Sequence, residues 1–174
     1  MISPTIFGAV FESTLNPQTR RNGGMHYTSI ENIHKVIDPL FLDELKEEFT
    51  QIKSIKKSRK LKLEEFQNKL ASLTFLDPAC GSGNFLTETY LSLRRLENEV
   101  LKELLQTEGK GSTLAGLITD IHQYNLIKVS ISQFYGIEIN DFAVNVAKTA
   151  LWIAENQMMK ETENIIHMDL DFYH

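Results

Sequence analysis

The run DPACGSGNF at residues 77–85 constrains the fold more than any other part of the chain. It follows the apolar stretch Leu73 to Leu76, so a strand is predicted to end here and a helix to begin near Asn84. An open α/β sheet builds a ligand crevice in this way, at the carboxyl ends of its strands. Gly81 and Gly83 can take positive φ and lack a Cβ, so a ligand can lie directly against the backbone. The unpaired N–H groups at the start of the helix would face the same crevice and suit an anion.

A second parallel strand is predicted at residues 133–139, QFYGIEI, which are dense in β-branched and aromatic side chains. The periodicity of residues 85–105 predicts the crossover helix between the two strands, and residues 108–132 are interpreted as an insertion that lengthens the crossover. Glu138 near the end of the second strand then stands where a nucleoside ribose binds, and its two oxygens can accept both hydroxyl hydrogens. The alternative is an ordinary exposed glutamate at a strand end.

The last part of the chain is predicted to continue the same alternation. Asp141 is expected to cap a helix whose apolar face is formed by Phe142, Val146, Ala150 and Ile153. A third parallel strand is then predicted to begin at residues 165–166 and to end near Asp169.

The region before the glycine turn is predicted to be helical. A short amphipathic helix is expected over Thr5 to Leu15, followed by a loop to Tyr27. Thr28 and Glu31 have the spacing of a capping box, so the next helix is expected to start at Thr28 or Ser29. Pro39 should end or kink that helix, and residues 40–70 are predicted to form a further long, charged helix.

Composition limits the class of protein. A chain of 174 residues with 42% hydrophobic and 24% charged residues is typical of a globular domain. No apolar run approaches the length of a membrane span and no export signal is present, so a cytoplasmic location without membrane contact is expected. The single cysteine, Cys80, excludes an intramolecular disulfide and a cysteine-based zinc cluster, and it is interpreted as a small space-filling residue.

The charge balance argues against a complete nucleic-acid-binding surface within these residues. The formal net charge is −5, whereas such a surface neutralises phosphates with clustered Lys and Arg. The one dense basic cluster lies within residues 53–62 and follows an acidic block, so it is interpreted first as a solvated helical face, with phosphate contact as the alternative.

Three strings together resemble one enzyme family. DPACGSGNF resembles the cofactor-binding motif of the S-adenosylmethionine (AdoMet) dependent DNA adenine methyltransferases, and YGIEIN at residues 135–140 resembles the stretch at the end of their second strand. GMHYT at residues 24–28 resembles their amino-terminal motif, and its position ahead of the glycine turn is the order of the gamma class. The resemblance covers roughly residues 6–170.

The resemblance implies an α/β fold with the first three strands of a partial doubly wound, Rossmann-like methyltransferase sheet. The sheet would occupy residues 72–174, after a helical amino-terminal region at residues 1–71. AdoMet is the implied cofactor: Tyr27 and Thr28 would close over its methionine end, and Ile139 or Asn140 would lie against its adenine. Asp169 would contact the adenine amino group, and plain core is the alternative for Ile139. The predicted cofactor-binding residues are Tyr27, Thr28, Asp77, Pro78, Ala79, Gly81, Gly83, Phe85, Glu138, Ile139, Asn140 and Asp169; no metal ligand is predicted.

One family feature is absent from the sequence. The catalytic tetrapeptide, which is Asn, Asp or Ser followed by two prolines and an aromatic residue, does not occur, because the four prolines at positions 4, 17, 39 and 78 are never adjacent. No catalytic residue is therefore predicted, and these residues alone are expected to be inactive. Double-stranded DNA would be bound through a further carboxy-terminal part, with a restriction or specificity module as an additional expected partner.

Three other functions are alternatives to this one. An RNA or protein-amide methyltransferase shares the motifs, but the helical prefix and the amino-terminal motif favour DNA. A non-catalytic module that binds AdoMet or another nucleoside stays open. A nicotinamide-binding domain is disfavoured, because Asp77-Pro78 precedes the glycines and the GxGxxG pattern is absent.

Overall fold

The computed structural model describes residues 28–107 and 126–171 together with Pro4 and Val10, and for residues 167–171 it describes the backbone alone. Most of the helix predicted over Thr5 to Leu15, the loop after it and Tyr27 therefore lie outside the described residues. The same holds for most of the predicted insertion, of which residues 126–132 are described.

The described part begins with a helical region, as the sequence predicts. Helix α1 spans Ile30–Ile37, a π-helical turn spans Asp38–Leu42, helix α2 spans Asp43–Ser54 and helix α3 spans Arg59–Ser72. The cap of α1 is Ser29, whose hydroxyl accepts a hydrogen bond from the Asn32 N–H at 3.4 Å. The predicted start at Thr28 or Ser29 is confirmed at Ser29, whereas the capping box based on Thr28 is wrong.

The single helix predicted over residues 40–70 is also wrong. Pro39 lies in the π-helical turn, where its missing N–H changes the hydrogen-bond pattern without ending the helical path. The chain breaks later, because Ile55 is extended and Ser58 has a left-handed φ of 60°. This reversal brings α2 against α3, and the Phe49 and Phe66 rings stack with centroids 5.8 Å apart.

The sheet has two parallel strands among the described residues, β1 at Phe75–Asp77 and β2 at Phe134–Gly136. Phe75 pairs with Phe134 and Asp77 pairs with Gly136. Helix α4, Asn84–Thr107, starts where predicted, forms part of the crossover between the strands and packs against both of them. The predicted parallel βαβ unit is confirmed, with shorter strands than expected.

The third predicted strand is wrong, because helix α5 runs without interruption from Asp141 to Asp171. No glycine or proline interrupts residues 141–171, so nothing in the local sequence ends the helix. Buried Met158, Thr162 and Ile166 follow one another at four-residue spacing, which places Ile166 on the helix stripe that faces the core. Asp169 therefore lies in a helix and not at a strand end, and its side chain is outside the described set.

The face that α5 buries also differs from the predicted one. The first half of its buried stripe consists of small residues at spacings of four and three, and α5 packs on α4; these residues are Ala143, Ala147, Ala150 and Ala154. Phe142, predicted to face the core, is 60% exposed, and only Ala150 of the predicted face is buried. Small side chains let two helices approach closely, so the contact face of α5 is its alanine stripe.

The aromatic core lies between the sheet and α4. The Phe75 and Phe134 rings stack at 5.2 Å across the strand pair, and the Tyr90 ring meets Phe134 edge-on at 5.6 Å. Side chains of α2, α3, α4 and α5 join the same cluster of buried residues. Among the helices that the structure describes, none is long and apolar enough to cross a membrane.

Candidate functional site

The glycine turn after β1 has the conformation that the sequence predicts. The Asp77 carboxylate accepts a hydrogen bond from the Ala79 N–H at 3.1 Å, and the Cys80 carbonyl accepts one from the Gly83 N–H at 2.8 Å. Gly81 and Gly83 have φ values of +53° and +78°, a region that L side chains rarely adopt. The turn therefore depends on glycine at both positions.

The two glycines face different surroundings. A Cβ on Gly81 would meet nothing within 4 Å, so this part of the backbone is open to a ligand. A Cβ on Gly83 would lie 2.7 Å from the Cβ of Ala147, so α5 covers this position. Gly81 is thus the ligand-accessible glycine, and Gly83 permits the close packing of the turn on α5.

Glu138 reaches the glycine turn from the other strand. One carboxylate oxygen accepts a hydrogen bond from the Gly81 N–H at 3.0 Å, and the other accepts one from the Asn140 N–H at 2.8 Å. Two backbone bonds extend the strand pairing to this point, from Ile137 N–H to the Asp77 carbonyl at 2.9 Å and from Cys80 N–H to the Ile137 carbonyl at 3.0 Å. Since an ionised carboxylate can accept about four hydrogen bonds, Glu138 keeps acceptor capacity for a ligand.

The residues after Glu138 divide into a cap and an exposed apolar side chain. The Asn140 side-chain oxygen accepts hydrogen bonds from the N–H groups of Phe142 and Ala143, both at 3.0 Å, so Asn140 caps α5 and the prediction of Asp141 as the cap is wrong. Ile139 is 92% exposed, which contradicts the alternative that it belongs to the core. An exposed isoleucine beside a carboxylate suits a ligand in which a flat base is joined to a sugar with hydroxyl groups.

The other predicted site residues are distributed as follows. Pro78 and Ala79 are exposed on the turn, and half-buried Thr28 directly precedes the Ser29 cap of α1. Phe85 is half-buried and packs against Ile33, Ile37 and Leu42, so it links α1 to α4. The structure thus brings Asp77, Gly81, Glu138 and Asn140 together.

Gly136 is a residue that the sequence reasoning missed. A Cβ there would lie 2.6 Å from the Cys80 sulfur and 3.1 Å from a methyl group of Leu86, so only glycine lets β2 pass the turn at this distance. A glycine inside a predicted strand is the signal that could have identified it.

The contact with Gly136 also explains Cys80, which fills the space beside Gly136. Burial, followed by the nearby carboxylates of Asp77 and Glu138, raises the pKa of the Cys80 thiol, which disfavours the nucleophilic thiolate.

Part of the basic cluster within residues 53–62 makes contacts inside the chain. Arg59 pairs with Glu103 of α4, Lys62 pairs with Glu65 at 2.7 Å, and the Lys53 ammonium lies 4.9 Å from the centre of the Phe49 ring. These contacts agree with a solvated face. Within residues 28–107 and 126–171, no group of three or more His, Cys, Asp or Glu side chains could hold a metal ion.

The arrangement around Gly81 fits a nucleoside better than a simple anion. It combines a carboxylate for the ribose hydroxyls, an open glycine backbone, an exposed apolar side chain for the base and the N-terminus of α4 for a negative group.

Comparison with known proteins identifies the family. The family model described as MmeI, DNA-methyltransferase domain, matches residues 52–171. DNA methyltransferase A of Bacillus subtilis (strain 168) is 44% identical over 167 residues, which cover 95% of this chain and 17% of that protein. A Methanocaldococcus jannaschii protein named as a type II restriction enzyme and methyltransferase is 28% identical over 176 residues, which cover 88% of this chain and 14% of that protein.

A solved structure has the same fold. The type IIL restriction-modification enzyme MmeI, solved in complex with DNA, matches with a TM-score of 0.81 and 46% identity, over 96% of this chain and 21% of that one. The chain thus spans about a fifth or less of the length of these relatives. The family model covers more than half of the residues, and the chain belongs to the MmeI DNA-methyltransferase domain family.

Proposed function

We propose that this chain forms the AdoMet-binding part of a gamma-class DNA methyltransferase that methylates the exocyclic amine of adenine in duplex DNA. The observation that carries the proposal is the contact between the Glu138 carboxylate and the Gly81 N–H at 3.0 Å, which joins the ends of two parallel strands at an open glycine. An acidic side chain at this position is suited to the hydroxyl groups of a nucleoside ribose.

Each residue of the site has one proposed task. Glu138 accepts the ribose hydroxyl hydrogens, Gly81 lets the cofactor lie against the backbone, and Ile139 packs on the face of the adenine ring. The N–H groups at the start of α4 face the methionine carboxylate. AdoMet, when bound, would supply a methyl group from its sulfonium sulfur, with S-adenosylhomocysteine as the leaving group.

Thr28, with Tyr27 ahead of it, is proposed to close the methionine end of this site. Thr28 lies one residue before the Ser29 cap of α1. Asp77, Pro78 and Ala79 form the first half of the turn, and the Asp77 carboxylate fixes its shape through the Ala79 N–H.

The transfer step itself is proposed to require groups beyond these residues. The tetrapeptide that holds the target amine in the resembled family does not occur in the sequence. The relatives are several times longer than this chain, and one of them is a restriction-modification enzyme solved with DNA. We therefore propose that duplex DNA and the catalytic tetrapeptide meet this site in a longer polypeptide or assembly, together with a restriction or specificity module.

The cofactor site is tested by calorimetric titration of the chain with AdoMet and with S-adenosylhomocysteine. Glu138→Ala should weaken binding by at least about a hundredfold, because two hydrogen bonds to a charged acceptor are lost. Glu163→Ala is the matched control, since it removes an exposed carboxylate from α5. Equal affinity of the Glu138 variant and the parent would contradict the proposal.

The proposed specificity for adenine is tested with the full-length polypeptide, by mass analysis of the nucleosides of methylated duplex DNA. We expect N6-methyladenine in the product. Methylated cytosine would overturn the base specificity and leave the cofactor site standing. AdoMet binding without methylation of DNA would favour the non-catalytic nucleoside-binding module.

A further inference from the structure

A charged cluster joins α1 to the first turns of α4. The two ring nitrogens of His34 lie near two carboxylates, Nδ1 at 2.8 Å from an Asp38 oxygen and Nε2 at 3.2 Å from a Glu88 oxygen. The same Glu88 oxygen also accepts a hydrogen bond from Arg95 at 3.3 Å. The Glu88 side chain is only 3% exposed, whereas that of His34 is 31% exposed. The buried Glu88 carboxylate of α4 thus contacts both His34 of α1 and Arg95 of α4.

Apolar contacts lie beside this cluster. Ile33 and Ile37 of α1 form a buried cluster with Leu42, and Phe41 and Phe85 pack against this cluster. Phe85 is the second residue of α4 and Glu88 lies one turn later, so both contacts with α1 are made at the end of α4 that begins at the glycine turn. The position of α1 relative to the glycine turn is therefore set by a few residues at this end of α4.

The hydrogen-bond pattern suits a protonated His34. Both ring nitrogens face carboxylate oxygens, and only the imidazolium can donate from both nitrogens. The hydrogen bond to Asp38 is the main cause that raises the pKa of His34; burial acts in the opposite direction, and Glu88 adds to the increase. The charged groups that face His34 are Asp38 next to α1, and Glu88 with its partner Arg95 on α4.

We propose that Glu88 and His34 are positioning residues, which hold α1 against the first turns of α4, where the glycine turn ends, so that cofactor binding depends on the His34 imidazolium. The inference rests on the proposed AdoMet site, because Thr28 matters to binding only if that site is correct. Neither residue needs to touch the cofactor. A neutral His34 keeps one N–H and can donate to only one of the two carboxylates. When it donates to the nearer Asp38 oxygen, Glu88 is left with Arg95 alone and the polar contact between α1 and α4 is lost.

The sign of the pH dependence follows from the raised pKa. The His34 contribution is fully present below the ordinary pKa of histidine and is lost as the pH rises through the raised value. The parent should therefore bind AdoMet about three- to tenfold more weakly at about pH 9 than at about pH 6. The reason is that a charged hydrogen bond is lost while the apolar contacts remain.

The experiment measures AdoMet affinity by calorimetry across this pH range for the parent and three variants. His34→Gln and Glu88→Gln should bind weakly at every pH and show a flat profile. Glu99→Gln is the matched control, because Glu99 lies on the same helix and pairs with Lys102 at the surface. It should keep the affinity and the pH profile of the parent. A parent-like profile in His34→Gln would overturn the inference.

A second measurement does not need the cofactor. Amide hydrogen-exchange protection factors of Ile33 and Ile37 report the docking of α1, and in the parent they should fall with rising pH, whereas in His34→Gln they should be low throughout. Equal protection in the variant and the parent would overturn the docking role, even if the buried Glu88 variant failed to fold. Normal, pH-dependent protection in a parent that does not bind AdoMet would instead reject the proposed function, and with it the link between docking and binding.

Discussion

At the scale of single residues, Gly81 and Gly83 show how much a motif can predict. The sequence predicts correctly that both glycines take positive φ in a turn between a strand and a helix. It cannot predict what each glycine faces, because Ala147 and Glu138 reach the turn from more than fifty residues away. The tertiary contacts decide that Gly81 is open to a ligand and that Gly83 is covered.

Because Gly83 is covered and Gly81 is open, substitution by alanine should have different effects at the two positions. Gly83→Ala places a Cβ 2.7 Å from the Ala147 Cβ in a left-handed conformation, so we expect a loss of about 2–4 kcal/mol in the free energy of unfolding. Gly81→Ala carries the conformational cost of about 1–2 kcal/mol alone, but its methyl group enters the crevice and should weaken AdoMet binding. Urea unfolding measures the loss of stability in each variant, and calorimetry measures the loss of AdoMet binding. Ala147→Gly alone should cost about 1 kcal/mol in the helix interior. Combined with Gly83→Ala it should cost less than the sum of the two single losses, and additive losses would show that the contact with the Ala147 Cβ is not the cause.

At the scale of elements, the glycine turn and the crossover were predictable, whereas the end of the chain was not. Residues 77–85 contain strong local signals, namely a strand end, two glycines and a helix start. Ile165 and Ile166 suggested a strand because short apolar runs suit either structure, and the four-residue spacing with Met158 and Thr162 is the pattern that the structure follows. The buried face of α5 escaped prediction for a related reason, since large apolar residues were assumed to mark the core.

The alanine stripe of α5 leads to an element-scale prediction. Ala150 is 2% exposed and lies on the buried stripe of α5, which packs on α4, so Ala150→Leu should overpack the interior and lower the free energy of unfolding by about 1–3 kcal/mol. Lys148→Leu introduces the same side chain at an exposed position of the same helix and should change the stability by less than about 0.5 kcal/mol. Chemical denaturation measures both. Equal stability of the two variants would mean that α5 does not pack on its alanines.

At the scale of the whole molecule, one buried carboxylate joins the helical region to the βαβ unit. Glu97 of α4 is fully buried and pairs with Arg94, which donates in turn to the Thr162 hydroxyl of α5 at 2.9 Å. Its oxygens also accept from the Gln67 amide of α3 at 2.9 Å and from the Lys128 N–H at 2.7 Å. Both charges lie in a helix of mixed polar and apolar residues, so the sequence offered no sign that they are buried, and only the packing of α3 and α5 around α4 shows it.

The network predicts that removing both charges together costs less than the sum of the two single removals. Glu97→Gln leaves the Arg94 guanidinium buried without its counter-charge, and we expect a loss of about 3–5 kcal/mol in the free energy of unfolding. Arg94→Met leaves Glu97 with amide donors only, and a loss of similar size is expected. The double variant with Arg94→Met and Glu97→Gln should lose clearly less than the sum, because a neutral amide can accept from the Lys128 N–H without an uncompensated charge. A double-mutant cycle by urea unfolding measures this coupling, with Glu99→Gln as the exposed control on the same helix. Additive losses would show that Arg94 and Glu97 act separately, and that α4 is held between its neighbours by apolar packing.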